Sequence, residues 1–329
     1  MIQSAPLVEG SPIIVLTDPA DVQLRVIHEL RAKIDIVVGS SLEAFGGVAA
    51  DATVVLNWSG SRSLFSEVFS SCLNIRWVHT RSAGVDGILS PELIESAVIL
   101  TNGTGVFSAS LGEFALAAIL YFAKGLRRMI DNQIAGVWDP FETMPIVGQT
   151  LGIVGYGDIG RAVASRARSM GMRVLAIKRH VNPYNADPMV EHMYSPDRRI
   201  EMLSRCDYVV AAAPLTSETR GMIGEPEFNA MKPNAVVINV GRGPVINEEA
   251  LIKALSTGRI KGAALDVFDH EPLADGHPFY ALENVLLSPH CADRTPDCFD
   301  QAMRFFLSQF DRFIKGEPLL NVVDKKLGY

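Results

Sequence analysis

"LGIVGYGDIGRAVASRARSMGMRVLAIKRH", Leu151–His180, is the stretch that decides the fold. A short apolar run ends in Gly155-x-Gly157-x-x-Gly160, a polar and alanine-rich segment follows, and a second aliphatic run, "RVLAI", closes at Ile177. Glycines at this spacing permit a tight turn, let the backbone approach a pyrophosphate, and let the following helix sit close on the strand. The opening of that helix offers free N–H groups and the positive end of its dipole. The stretch therefore reads as strand, turn, helix, strand. Gly155, Tyr156, Gly157, Asp158, Ile159 and Gly160 form its expected phosphate loop. Where such a site usually carries an acidic residue for the ribose 2′-OH, this chain has Lys178 and Arg179. Neither accepts a hydrogen bond, and both can neutralise a 2′-phosphate. NADP(H) is the expected preference, with NAD(H) also admitted. The alternative is two solvated cations at a strand end.

Downstream, "YVVAAAP", "AVVINVG", "GAALDVF" and "VLLSPH" continue the series begun by "TLGIVG" and "RVLAI". Six strands with intervening helices predict a doubly wound sheet. "HVNPYNADPMVEHMYSP", with its prolines and polar residues, reads as a loop. Upstream, "PIIVLTD", "ATVVLNW", "IRWVHT" and "AVILTN" alternate with helical stretches and predict a first parallel α/β unit to about residue 101. Between the two series lies "SASLGEFALAAILYFAKGLRRMIDNQ". It predicts one long helix from near Ser108, with Ser110 and Glu113 at capping-box spacing and too much apolar surface to lie on the outside. "CFDQAMRFFLSQFDRFIKG" carries aromatics at helical spacing and predicts a C-terminal amphipathic helix.

A chain of 329 residues suits two domains. Its 48% hydrophobic and 20% charged residues are ordinary for a globular protein. A formal net charge of -7 gives no basic field for nucleic acid or an acidic membrane, so neither is an expected partner. "MIQSAPLVEGSP" lacks the charged and apolar regions of a secretory leader, and no run of about 18 apolar residues predicts a membrane span. Cys72, Cys206, Cys291 and Cys298 form no C-x-x-C pair, so neither a metal site nor a disulfide framework is expected, and a reducing cytoplasm fits.

Three further segments stand at strand carboxyl ends, where open α/β sheets bind ligands: "NVGRGPVINEEAL", "ALDVFDHEPL" and "LLSPHCAD". With "AGVD" at Ala83–Asp86, the glycine loop and "PLTSETRGMI" at Pro214–Ile223, they make the chain resemble the D-isomer-specific 2-hydroxyacid dehydrogenases. That family includes glyoxylate/hydroxypyruvate reductases, phosphoglycerate dehydrogenases and formate dehydrogenases. The resemblance covers nearly the whole chain. It implies an α/β architecture of two Rossmann-like parallel-sheet domains. A coenzyme domain, 102–293, would be inserted into a discontinuous substrate domain, 1–101 plus 294–329. The active site would lie in the cleft between them, which closes to exclude water.

The resemblance further places the family's catalytic residues on Arg242, Glu271 and His290. The chemistry suits them. Hydride reduction of a 2-keto acid leaves an alkoxide that needs a proton, and histidine titrates in the right range to supply it. A carboxylate bonded to the imidazole fixes the ring and favours its protonated form. Arg242 offers a planar fork to the substrate carboxylate and carbonyl. By the same resemblance, the backbone amides of Ala83 and Gly84 help hold the substrate carboxylate. Pro214, Thr219, Val240 and Gly241 join the cofactor residues, and Asp266 contacts the nicotinamide amide, the alternative being a strand-end turn role. Trp58 falls in a loop that lines the pocket in relatives; the other reading is that it belongs to the core. The apolar helix from Ser108 and the loop carrying Trp138 are the expected homodimer contact. Two departures stand out: "AAAPLT" lacks the bulkier residue common before the proline, and Asp293 replaces a frequent glycine. The expected activity is reduction of small 2-keto acids, of the glyoxylate or hydroxypyruvate kind, to D-2-hydroxy acids with NADPH preferred. The alternatives are an NAD(H)-sensing corepressor-like binding protein and an NAD-linked D-2-hydroxyacid dehydrogenase.

Overall fold

A computed structural model of the chain describes residues 11–31, 34–181 and 187–329. The chain divides into two compact units, Met1–Phe107 with Thr295–Tyr329, and Ser108–Arg294. Elements are numbered along the chain.

In the first unit β1 (Ile13–Leu16), β2 (Ile36–Gly39), β3 (Val54–Asn57), β4 (Trp77–Thr80) and β5 (Ile99–Asn102) form one sheet in the order β2-β1-β3-β4-β5. All pairs are parallel and in register, so that Leu16, Asn57, Thr80 and Asn102 end their strands side by side. The chain leaves β1 toward β2 and returns to the other side at β3, which puts a topological switch point at the carboxyl ends of β1 and β3. One face of the sheet buries Ile14, Leu16, Val55, Val78 and Leu100 with Phe45, Phe65, Val68 and Leu93. The other takes α10 (Cys298–Ile314), whose aromatic stripe is the one visible in the sequence: Phe306, Phe310 and Phe313 all lie against the Trp77 ring. In this core the Thr101 hydroxyl accepts from Trp77 Nε1 at 2.8 Å and shares a hydrogen bond of 2.7 Å with His79 Nδ1. Burial pushes His79 down to about 3, so it stays neutral and offers no acid chemistry.

The second unit is built on a seven-stranded parallel sheet, β12-β11-β10-β9-β6-β7-β8. Its strands are β6 (Thr150–Val154), β7 (Arg173–Ile177), β8 (His192–Tyr194), β9 (Tyr208–Ala211), β10 (Val236–Asn239), β11 (Gly262–Leu265) and β12 (Val285–Leu287). The sequence predicts six; the seventh, β8, lies inside the segment read as a loop. Three residues are too few to show a period, and only pairing of Leu175–Ile177 with His192–Tyr194 makes them a strand. The chain runs β6, β7, β8 to one side and then β9 to β12 to the other, so the switch point falls at the end of β6, where the glycine loop begins.

The predicted long helix is two. α4 (Ser108–Lys124) stops at Gly125, whose φ of 63° is left-handed, and α5 (Leu126–Ala135) departs at 62°. Gly112 of α4 sits against Ala162 of α6 (Asp158–Ser169) so closely that a Cβ there would lie 3.1 Å from the Ala162 carbonyl carbon. The expected capping box is also absent. Ser110 lies within α4 and donates to the Ala292 carbonyl at 2.6 Å, while Glu113 pairs with Arg166 at 3.0 Å. Among the described residues no single helix is long and apolar enough to cross a membrane.

Candidate active site

The glycine loop shows three different reasons for three glycines. A Cβ on Gly155, whose φ is 97°, would fall 2.5 Å from the Ala213 nitrogen on the adjacent strand end. One on Gly160 would fall 2.5 Å from the Gly155 carbonyl, so this glycine lets α6 approach β6. One on Gly157 would meet nothing within 4 Å. Gly157 is the N-cap of the 12-residue α6 and brings no side chain to its first-turn amides. The open face before an uncapped helix N-terminus fits a pyrophosphate. Asp158 and Ile159 open that turn. Tyr156 instead turns inward: it is 3% exposed, and its amide bonds to Ile177 O at 3.1 Å.

Lys178 stands exposed just past β7, with its amide on the Tyr194 carbonyl at 3.0 Å. Arg179 pairs with Glu218. Glu218 sits in the turn after β9, which Thr219 closes by donating to the Pro214 carbonyl at 2.6 Å and accepting from the Thr216 amide at 2.8 Å. Fold topology thus sets Pro214, Thr219 and the cations of the β7 tip side by side. Asp187 joins them, 3.2 Å from Arg161. The Met189 amide, with lesser help from Arg161 and Lys178, holds its carboxyl below the usual range.

At the end of β10, Val240 is 3% exposed and bonds to the Ala211 carbonyl at 3.1 Å. Two glycines then press the chain against its neighbours. A Cβ on Gly241 would be 2.9 Å from Ala213 O, and one on Gly243 only 2.0 Å from the Phe268 carbonyl carbon. Arg242 between them has no freedom of backbone. Its Nη1 donates to Gly241 O at 2.9 Å. Asn239, 1% exposed, braces the turn from inside, accepting from the Gly241 amide and donating to the Arg242 carbonyl, both at 3.1 Å. The sequence reading passed over Asn239; its signal was a polar residue ending an apolar strand.

His290 Nδ1 lies 2.6 Å from Glu271 Oε2, and Glu271 Oε1 accepts from the Phe268 amide at 3.0 Å. The carboxylate is therefore anchored before it meets the ring, and Nε2 is left to face a ligand. His290 has a φ of 51°, uncommon for a residue with a Cβ. Its amide bonds to Asp266 O at 2.9 Å and to Ser288 O at 3.0 Å. Asp266, 1% exposed, gathers the rest of the loop on Oδ1: the Ser288 hydroxyl, the Cys291 amide at 2.9 Å and the Ala292 amide at 3.0 Å. In this structure Asp266 thus supports the histidine. Asp293 follows on the same loop. Burial raises its carboxyl, Asp266 adds to the effect, and His290 opposes it.

In the first unit, the Ala83 carbonyl accepts from Asn102 Nδ2 at 2.6 Å, which fixes the turn carrying the Ala83 and Gly84 amides. Among the described residues no backbone hydrogen bond takes up either amide. Trp58 is fully buried and donates to Asp21 at 3.0 Å, so it is core and not pocket lining. No group of three or more His, Cys, Asp or Glu among the described residues could hold a metal ion.

The chain is similar to known proteins over most of its length. Residues 116–292 match the D-isomer specific 2-hydroxyacid dehydrogenase, NAD-binding domain. A glyoxylate reductase of Thermococcus gammatolerans is 34% identical over 81% of this chain and 81% of its own length. A D-3-phosphoglycerate dehydrogenase of Methanocaldococcus jannaschii is 30% identical over 94% of this chain, which spans 59% of that protein. A D-isomer specific 2-hydroxyacid dehydrogenase from Xanthobacter autotrophicus, solved with NADPH and MES, is 28% identical, with a TM-score of 0.84 over 98% of this chain and all, 100%, of that one. An NADPH-dependent glyoxylate/hydroxypyruvate reductase from Sinorhizobium meliloti, solved with NADP and sulfate, gives 25% and 0.86 over 97% of this chain and 100% of that one. On these matches the chain belongs to the D-isomer-specific 2-hydroxyacid dehydrogenases, oxidoreductases that act on CH–OH donors with NAD(P).

Proposed function

We propose that the chain reduces small 2-keto acids of the glyoxylate or hydroxypyruvate kind to D-2-hydroxy acids, with NADPH preferred to NADH. The observation that carries the reading is the 2.6 Å bond between His290 Nδ1 and a Glu271 already anchored by the Phe268 amide. Gly155–Gly160, with Lys178 and Arg179, would hold the nicotinamide cofactor, which would supply the hydride. Arg242 aligns the keto acid through its carboxylate and carbonyl oxygen, on a turn that Gly241, Gly243 and Asn239 hold rigid. The Ala83 and Gly84 amides receive the carboxylate. His290 gives the proton at Nε2 to the oxygen that becomes the hydroxyl, and Glu271 keeps the ring in the tautomer and orientation this requires. Val240 and Gly241 line the nicotinamide side. Asp266 acts there through the loop that it ties to His290.

A panel of keto acids assayed with NADPH and NADH tests the reading. Turnover of glyoxylate or hydroxypyruvate is expected, and His290→Ala should lower kcat about 100-fold or more while cofactor binding stays near normal. Near-native kcat in that variant would remove His290 from the mechanism.

The same protein is proposed to be a homodimer. α5 has no buried residue and exposes Met129, Ile130 and Ile134, and Trp138 beyond it is 95% exposed. An apolar surface of this kind marks an interaction site. Sedimentation should show a dimer at micromolar concentration, weakened in Trp138→Asp; a monomer in the unmodified protein would refute it.

A further inference from the structure

We propose that Arg161 is a third cation of the cofactor site, reading the adenosine 2′-phosphate together with Lys178 and Arg179. The inference rests on the NADPH reading above and extends it to a residue outside the β7 tip. Arg161 lies in the first turn of α6, where its amide bonds to Gly157 O at 2.9 Å. Gly157 and Arg161, one helical turn apart, share a face of that helix. The face is open: a Cβ on Gly157 would meet nothing within 4 Å. Side chains on a helix lean toward its N-terminus, so Arg161 leans toward the phosphate loop.

Its guanidinium is oriented from two sides. Nη1 lies 3.2 Å from Asp187 Oδ2, and the guanidinium carbon stands 5.7 Å from the centroid of the Tyr156 ring. Asp187 is itself held: Oδ1 accepts from the Met189 amide at 3.0 Å, and its side chain is only 14% exposed. The Arg161 side chain is 61% exposed, which leaves much of its fork open to a ligand. Asp187 also gives the direction in which Arg161 reaches. After the Met189 amide, Tyr156, Arg161 and Lys178 all lower its carboxyl, so the anchor of Arg161 stands within the field of the lysine at the β7 tip. Arg161 therefore extends from the N-terminus of α6, where a pyrophosphate fits, toward the strand end, where a dinucleotide's adenosine ribose sits in this fold. A 2′-phosphate on that ribose brings roughly two negative charges. A planar fork already held by a carboxylate and a ring loses little further rotamer freedom in binding it.

The test is titration of the full chain with 2′,5′-ADP and with 5′-AMP, which share the adenosine and the 5′-phosphate and differ in the 2′-phosphate. The unmodified protein should bind 2′,5′-ADP the more tightly. Arg161→Met should lower that preference about tenfold, the size of one charge-assisted bond less the exposed ion pair with which it competes. Binding of 5′-AMP should stay near native and reports that the chain is folded. Arg161→Lys should fall between, since it keeps charge but not the fork. Arg161→Met combined with Asp187→Asn removes both charges of the pair, so the local net charge is unchanged, and the loss should persist. If Arg161→Met leaves the preference intact, if the double variant restores it, or if both probes weaken by the same factor, the proposal fails while the NADPH reading stands. If the unmodified protein binds the two probes equally, the NADPH reading itself fails and the proposal with it.

Discussion

Replacing Glu218 by glutamine should sharpen the preference for NADPH. Arg179 is the better placed of the two cations at the β7 tip, with its side chain 23% exposed, yet it pairs with Glu218, which is 69% exposed. A 2′-phosphate carries nearly two negative charges near neutrality, by the second ionisation common to phosphomonoesters. One charge-assisted bond to it contributes about 1.5–3 kcal/mol. Arg179 must give up or share its carboxylate partner to make that bond, and an exposed ion pair is worth only about 0.2–1 kcal/mol. The net is roughly 0.5–2.8 kcal/mol, and since about 1.4 kcal/mol is tenfold, NADPH should exceed NADH in kcat/KM by about twofold to a hundredfold. Glu218→Gln neutralises that carboxylate and should raise the ratio by about a further 1.4-fold to fivefold. Lys178→Asp with Arg179→Ala should reverse it, because the new carboxylate accepts from the ribose hydroxyl and repels the phosphate. The assay is kcat/KM for each cofactor at a fixed keto acid concentration, repeated at higher salt, where the preference should shrink. Equal use of the two cofactors by the unmodified protein would refute the reasoning, as would a ratio indifferent to Glu218→Gln.

Other consequences follow from the same geometry. Gly157→Ala should leave Tm unchanged, since its Cβ meets nothing within 4 Å, yet weaken dinucleotide binding measured by titration; Gly155→Ala, with a Cβ 2.5 Å from Ala213 N, should lower Tm as well. Glu271→Gln should shift the pH–rate profile and lower kcat, and an unmoved profile would show that the carboxylate only packs the turn. Asp293→Asn should stabilise the protein at neutral pH. The folded-state carboxyl is raised from 3.8 by burial, so the proton binds the folded chain more tightly. Stability from this group is fully present below about pH 3.8 and is lost as pH rises through the folded value. The gain in Tm for Asp293→Asn should therefore appear above that window and vanish below it; a gain independent of pH would assign the effect to packing.

Local chemistry was enough for much of this protein. Gly155, Gly157 and Gly160 announce a strand–turn–helix by their spacing: Gly160 lies against the Gly155 carbonyl within the loop, Gly155 against Ala213, and Gly157 leaves the helix N-terminus open. The aromatic spacing of α10 announces a buried face because helical period is local. Arg242, Glu271 and His290 were named from motifs at strand ends, but the sequence holds no distance between them. Pairing of β11 with β12 and of β10 with β11 brings Glu271 against His290 and sets the Arg242 turn on Phe268. Elements that depend on partners far along the chain were illegible for the same reason. β8 exists because β7 pairs with it, Ser110 abandons a capping role because Ala292 lies beside it, and Trp58 is settled as core by burial and its bond to Asp21. Asn239 and Asn102 brace the two turns nearest the chemistry through hydrogen bonds to backbone atoms, which carry no side-chain signature. The chain order supplied the groups; parallel pairing and close packing decided which of them meet.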